Sequence, residues 1–257
     1  KTIPIKERVS VRQYFNLYGY DIKISSSNHK PEEYTEKFFK AFIERNEKDG
    51  LVIKSSDDTK IFSKLRSLRE SNFIISAKDD GTASAEIPGL SDFLERIRFP
   101  HSSGKLTKYD VQYITGGWFE EFIRNKVKQY LPNAQIINDT VHLTVPPQNE
   151  LDVVFTLGNK LNLIECKVGI TEDKVDEFGN FKESNRLYNS FVYKSSAIKN
   201  KIKGIAIDSY LFALANDDEG RQQHAKECGL TYYGRSNFTS EEKIKEIFEA
   251  IAKNCND

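Results

Sequence analysis

From residue 109 onward the apolar positions fall into a readable order. In KYDVQYITGGWFEEFIRNKVKQYL, Trp118, Phe119, Phe122, Ile123, Val127, Tyr130 and Leu131 recur at helical spacing, entered through Gly116-Gly117 and stopped by Pro132. Short apolar runs at 134–137 and 141–145 predict strands. The stretch ELDVVFTLGNKLNLIECK, residues 150–167, predicts two more around a Gly158-Asn159 turn. Beyond it the pattern predicts a helix over 184–200, a buried strand over 204–214, a helix over 219–227, a short strand LTYYG and a closing helix. That closing helix opens with TSEE, where Thr239 and Glu242 stand at capping-box spacing. A helix, antiparallel strands and then alternating helices and strands define an α/β class with a mixed sheet flanked by helices.

The upstream part reads differently. Residues 3–24 predict a short strand, a short helix and a second strand. A helix follows through Tyr34, Phe38, Phe39, Phe42 and Ile43, closed by Gly50, and a second covers 57–70 with Ile61, Leu65 and Leu68 on one face. NFIISAKDDGTASAEI then reads as a hairpin about Asp79-Asp80-Gly81. Helix, helix, hairpin is the order of a winged helix and equally of a small α+β spacer. With SSGK at 102–105 as the linker candidate, the chain divides into a small α+β domain over 1–108 and an α/β domain over 109–257.

Composition narrows the function classes. Thirty-eight basic residues balance thirty-eight acidic ones, so any pull on nucleic acid must come from local patches. Cys166, Cys228 and Cys255 lie far apart, which suits a reducing, cytoplasmic setting and excludes a cysteine-rich zinc module. No run approaches the ~20 apolar residues of a membrane helix, so no membrane partner is expected. The chain opens on Lys1 and contains no Met, as a fragment or processed form does.

The hairpin carries charges that a buried strand does not tolerate idly. With Gly158-Asn159 as the loop, Val154 faces Leu163, Asp152 faces Glu165 and Glu150 faces Lys167. These four charged residues then share one face at one end of the hairpin. Facing Cβ atoms stand ~4.5–5.5 Å apart, where two carboxylates repel unless one is protonated or a cation lies between them. A hard dication resolves the repulsion, since Mg²⁺ or Mn²⁺ takes few carboxylates and keeps waters for a phosphate substrate. Asp152 and Glu165 are the candidate metal ligands, joined by the backbone carbonyl of Cys166. Lys167 is the candidate catalytic lysine at the water or phosphate. Glu150 is an outer residue expected to pair Lys167. Of the helical acids, Glu120 is favoured to support the site, leaving Glu121 as a solvated charge. The ordinary alternative makes Glu165 and Lys167 surface charges, with Asp152 at a strand end in solvent.

Other residues carry less. Trp118 and Phe119 could stack on bases but fit a core at their spacing, and Cys166 points away from the acids as a small buried hydrophobe. His142 and His224 read as structural or exposed. Tyr193 and Lys194, with Lys199, Lys201 and Lys203, form either a phosphate-contacting patch or a solvated face.

GGWFEE, then an Asp, then a strand ending in ECK resembles the PD-(D/E)XK nuclease superfamily, with Glu120, Asp152, Glu165 and Lys167 at the motif positions. The longer combination, with the later SFVYK and RQQHAKECGLTYY, is similar to the nuclease domain of CARF-containing ancillary effectors of type III CRISPR systems. The resemblance covers Tyr109–Gly234 and, more loosely, the first twenty residues. It implies a homodimeric, metal-dependent endonuclease cleaving DNA, with RNA as a further candidate, in antiviral defence. It also implies activation by cyclic oligoadenylate through a Rossmann-like CARF domain. Nothing before Tyr109 supplies the βαβ run of such a sensor, so the expectation is a chain relieved of it or a stand-alone relative. The alternatives are a restriction- or repair-type endonuclease, or a silent nuclease fold serving as a nucleic-acid-binding module.

Overall fold

The computed structural model describes residues 8–26, 35, 36, 39, 61, 64–66, 87–96, 99–101, 106–144, 149–168, 172–175, 181–184, 186–202, 207–215 and 217–256. The chain forms two compact units, residues 1–27 with 123–257, and residues 28–122. The first predicted strand (before residue 8), the hairpin about Asp79-Asp80-Gly81 and the SSGK linker lie outside the described residues.

In the first unit, helix α1 (Val11–Leu17) starts at Ser10, whose hydroxyl accepts from the Gln13 N–H while the Gln13 side chain accepts from the Ser10 N–H. Strand β1 (Ile22–Ser25) follows as expected. It pairs antiparallel with β3 (Thr140–Leu143), and β3 pairs antiparallel with β4 (Asn149–Leu151), giving a three-stranded sheet.

A second, five-stranded sheet carries the order β10-β9-β6-β5-β2. Its strands are β2 (Gln135–Ile136), β5 (Val153–Leu157), β6 (Lys160–Lys167), β9 (Ile207–Ala213) and β10 (Thr231–Tyr233). β6 is central, antiparallel to β5 and parallel to β9, so the sheet is mixed as the pattern implied. A parallel neighbour requires a crossover, and the chain makes it through α5 (Arg186–Lys201). Before α5 stands a two-stranded hairpin, β7 (Glu172–Val175) with β8 (Phe181–Ser184), which the apolar pattern does not reveal.

Both sheet faces are buried. On one, Val154, Leu161 and Leu163 pack with Phe15, Ile198 and Ile202, and Leu211 and Ala213 pack with Tyr188 and Val192 of α5 and Ala225 of α6 (Glu219–Glu227). On the other, the Phe212 ring meets Phe238 at 5.5 Å and Phe248 of α7 (Glu241–Asn256) at 6.3 Å. Burying such a ring removes it from water at a gain of about 2–3 kcal/mol. The cap of α7 differs from the TSEE expectation by one residue. Ser240 Oγ accepts from the Lys243 N–H, and Thr239 instead donates to the Ser236 carbonyl.

The second unit includes α2 (Leu90–Arg96), which was not foreseen, and α3 (Lys108–Gln112), capped by Thr107. The helix expected to enter through Gly116-Gly117 does begin there, at Trp118, and α3 is a separate helix before it. A wide turn over Tyr113–Gly117, with Gly116 at φ 168°, leads from α3 into α4 (Trp118–Tyr130). Trp118 and Phe119 are fully buried, and Phe39 stacks on Phe122 with centroids 3.7 Å apart. They are core, as their spacing indicated.

Candidate active site

The β5–β6 hairpin turns on two consecutive residues with positive φ, Gly158 at 57° and Asn159 at 63°, the pair a tight hairpin demands. Gly158 is required twice over, because a Cβ there would lie 2.5 Å from the Cys255 carbonyl oxygen of α7. The register is the expected one, with Leu157 opposite Lys160, Val154 opposite Leu163 and Val153 opposite Ile164.

The ladder then stops one residue short of the acids. Asp152 forms a bend between β4, which belongs to the three-stranded sheet, and β5, which belongs to the five-stranded one. Freed from strand pairing, its carboxylate turns onto β6, where Oδ2 accepts from the Cys166 N–H at 2.9 Å and from Lys167 Nζ at 2.8 Å. The bend is pinned from behind by Arg124 of α4, itself buried, whose Nη2 donates to the Asp152 carbonyl at 2.6 Å.

Lys167 Nζ also lies 2.8 Å from Glu165 Oε1, so one ammonium bridges both acids. It stands 5.0 Å from the centroid of the Phe191 ring of α5, a cation–π contact. A second ammonium, Lys194 Nζ of α5, reaches Glu165 at 3.2 Å to Oε1 and 3.4 Å to Oε2. Asp152 and Glu165 are only 5% and 6% exposed, against 20% and 32% for the side chains of Lys167 and Lys194. The site is a buried pair of carboxylates roofed by two partly open lysines.

The two acids are driven apart in proton affinity. Burial alone would raise Asp152, but the charges of Lys167 and Lys194, with the hydrogen bonds from Lys167 and the Cys166 N–H, hold it below the usual carboxylate range. Glu165 is pushed up, first by burial and then by the neighbouring Asp152 charge, which the two lysines offset only in part. Burial pulls the Lys167 ammonium down, yet both carboxylates lift it well above an ordinary lysine.

The structure overturns some expectations and keeps others. Glu150 does not face Lys167, because β4 leaves the hairpin and sets Glu150, exposed, opposite His142 on β3. The facing acid pair is neutralised by lysines, and Asp152 does not stand in solvent. Glu121 is not a solvated charge, since it is 6% exposed and accepts from the buried Thr35 hydroxyl at 3.3 Å within the second unit. Glu120 is half-buried in the first turn of α4. Cys166 is a buried thiol outside any disulfide, on the face away from the acids. His142 bonds Ser25 Oγ at 2.7 Å, and His224 packs against the Tyr188 and Tyr193 rings, so both are structural. Lys199 is spent on the Gly229 carbonyl at 2.9 Å, and Lys203 lies outside the described residues. Arg124 was missed in the sequence, where it reads as one more charge on an amphipathic helix.

Among the described residues no three or more His, Cys, Asp and Glu side chains gather as a metal cage, and no helix is long and apolar enough to cross a membrane. The donors that do converge are two carboxylates, one on the bend before β5 and one near the end of β6, which suits an oxygen-loving cation that keeps its waters better than a zinc-type centre.

A mixed α/β sheet with buried acids and a lysine at the end of its central strand defines the class of protein. Comparison with known proteins places it further. Residues 107–252, more than half of the chain, match the sequence profile described as "Card1-like, endonuclease domain". The chain belongs to this endonuclease-domain family. It is similar in fold to VC1899 from Vibrio cholerae, at TM-score 0.60 and 18% identity, over 98% of this chain and 64% of that one. It is similar too to Can2 from Sulfobacillus thermosulfidooxidans, solved in complex with cyclic tetra-adenylate, at TM-score 0.57 and 18% identity, over 96% of this chain and 62% of that one. The chain thus spans somewhat under two thirds of the length of either structure. No curated protein matches the sequence.

Proposed function

We propose that the chain is a divalent-cation-dependent endonuclease that hydrolyses phosphodiester bonds of nucleic acid, with DNA and RNA both substrates to be tested. The observation that carries this reading is the convergence of Asp152 and Glu165 on a single cationic point, 2.8 Å from each, with the E-x-K strand end supplying both the acid and the lysine. Asp152 and Glu165, with the Cys166 carbonyl, would hold Mg²⁺ or Mn²⁺. Such an ion supplies Lewis acidity at the phosphate and a more acidic water.

The chain's own residues do the rest. Asp152, kept anionic by its two donors, is the permanently charged ligand. Glu165 is poised by burial to give up or take a proton as the local charge changes. Lys167 is held over Phe191 beside both acids, where its ammonium can orient the attacking water and meet charge building on phosphorus. Glu120, in the first turn of α4, is the proposed helical acid of the set.

Because the neighbouring structures extend beyond the length of this chain, we place it in a longer assembly. In that reading it acts as a homodimer in CRISPR-type defence, and a cyclic oligoadenylate bound by a CARF-type sensor domain switches it on. The Can2 complex with cyclic tetra-adenylate supports that choice of activator.

The test is cleavage of single- and double-stranded DNA and RNA with Mg²⁺, Mn²⁺ or EDTA, with and without cyclic tetra-adenylate. Asp152→Asn, Glu165→Gln and Lys167→Met are run alongside. Each substitution is expected to lower cleavage by at least ~100-fold, the scale of losing one electrostatic or acid–base element. Cleavage that persists in EDTA, or survives all three substitutions, refutes the assignment.

A further inference from the structure

Lys194 has no counterpart in the acid–acid–Lys pattern, yet it makes a direct ion pair inside the site. The charges explain why that matters. Two carboxylates and two ammoniums are neutral together, so a dication entering between Asp152 and Glu165 must displace lysine contacts. Lys167 is the firmer of the two, bonded to both acids at 2.8 Å and covered by Phe191. Lys194 is the looser. Among the described residues it bonds only Glu165, at 3.2 and 3.4 Å, and its side chain is 32% exposed at the open edge.

We infer that Lys194 exchanges partners during the working cycle, neutralising Glu165 before the divalent cation binds and then contacting a substrate phosphate. This inference rests on the nuclease reading of the same site. With the dication balanced by the two carboxylates, the lysines are left with two positive charges. Attack by a hydroxide on a phosphodiester monoanion gives a dianionic transition state, which those two charges match. Lys194 takes no proton and forms no bond to phosphorus. Water supplies the oxygen, and the leaving sugar oxygen departs with a proton.

The exchange predicts two opposite effects of one substitution, which a structural lysine would not produce. In the full chain, Lys194→Met should bind Mn²⁺ about three- to fivefold more tightly, measured by electron paramagnetic resonance of free Mn²⁺ without nucleic acid. That is the scale of a partly exposed ion pair no longer competing for Glu165. The same variant should bind a fluorescent single-stranded oligonucleotide more weakly in Ca²⁺, with the slope of log affinity against log salt shallower by about 0.7, one phosphate contact. Lys194→Arg should keep the wild-type salt slope. Mn²⁺ binding that is unchanged or weaker in Lys194→Met, or an unchanged salt slope, overturns the inference. Glu165→Gln and Asp152→Asn separate the two levels. If they abolish Mn²⁺ binding while Lys194→Met has no effect, the nuclease reading stands and the exchange fails. If they leave Mn²⁺ binding intact, both fail.

Discussion

Replacing Lys167 by Met removes an ammonium that bridges two buried carboxylates, and the structure sets the size of the effect. Methionine keeps most of the stem volume and its contact with Phe191, so the change is chiefly one of charge. Removing one partner of a buried ion pair costs about 3–5 kcal/mol, because the survivor is left uncompensated. Lys194 remains on Glu165, which places the expected loss near the lower end, about 3 kcal/mol at pH 8 in EDTA. With a urea m-value of roughly 3 kcal/mol per molar for a chain of this size, the midpoint should fall by about 1 M.

The penalty should shrink as pH falls. Without the ammonium, Glu165, already raised by burial and by Asp152, rises further and takes up a proton in the folded chain well above its unfolded value. From the ordinary carboxylate value up to its raised folded value, the folded variant then binds more protons than the unfolded one, so its stability decreases as pH increases through that range. The wild-type pair behaves differently at its acid edge. Asp152 is depressed, so its contribution is present above the ordinary carboxylate value and is lost as pH falls through its lower folded value. Urea titrations followed by far-UV ellipticity at pH 5 and pH 8 read the first effect, and an extension of the series to below about pH 4 reads the second. The double variant Lys167→Met/Glu165→Gln, which removes the surplus charge, should recover more than half of the loss at pH 8. A midpoint change below about 0.3 M at pH 8, or a loss equal at both pH values, would refute the reasoning.

Three further predictions probe the supports of the site. Arg124→Met strips the Asp152 carbonyl of its 2.6 Å donor. It should cost about 1–3 kcal/mol by urea titration and weaken Mn²⁺ binding, while Arg124→Lys should recover part of both. Gly158→Ala places a Cβ 2.5 Å from the Cys255 carbonyl at φ 57° and should destabilise the chain by more than about 1 kcal/mol. Asn159→Gly, at the adjacent positive φ, should change stability by less than about 1 kcal/mol in the same titration.

The comparison of sequence with structure turns on particular residues. Leu157 opposite Lys160 and Val154 opposite Leu163 followed from the Gly158-Asn159 turn alone, because turn chemistry and a period of two leave one register. Carrying that register outward failed at the next step. A register presumes that the strand stays in its sheet, and nothing local in NELDVV signals that the chain changes sheets at Asp152. Glu150 was lost to His142 for the same reason. The unforeseen β7–β8 hairpin and the short helix α3 have a related cause, since short polar segments carry too few apolar positions to show a period.

By itself the sequence determined most of the order of helices and strands in the larger unit, the mixed sheet and the register of the central hairpin, and it singled out Asp152, Glu165 and Lys167, which the fold brings together. Those properties are local, set by side-chain period, turn residues and the cost of burying charge. Only the tertiary structure decided that Asp152 meets Glu165 from a bend, that one ammonium bridges both, that Lys194 arrives from α5 and that Arg124 holds the bend from α4. Each of these joins residues on different elements. Their distances depend on how helices lie on a sheet, and the pattern along a chain records which face a residue takes without recording what comes to cover it.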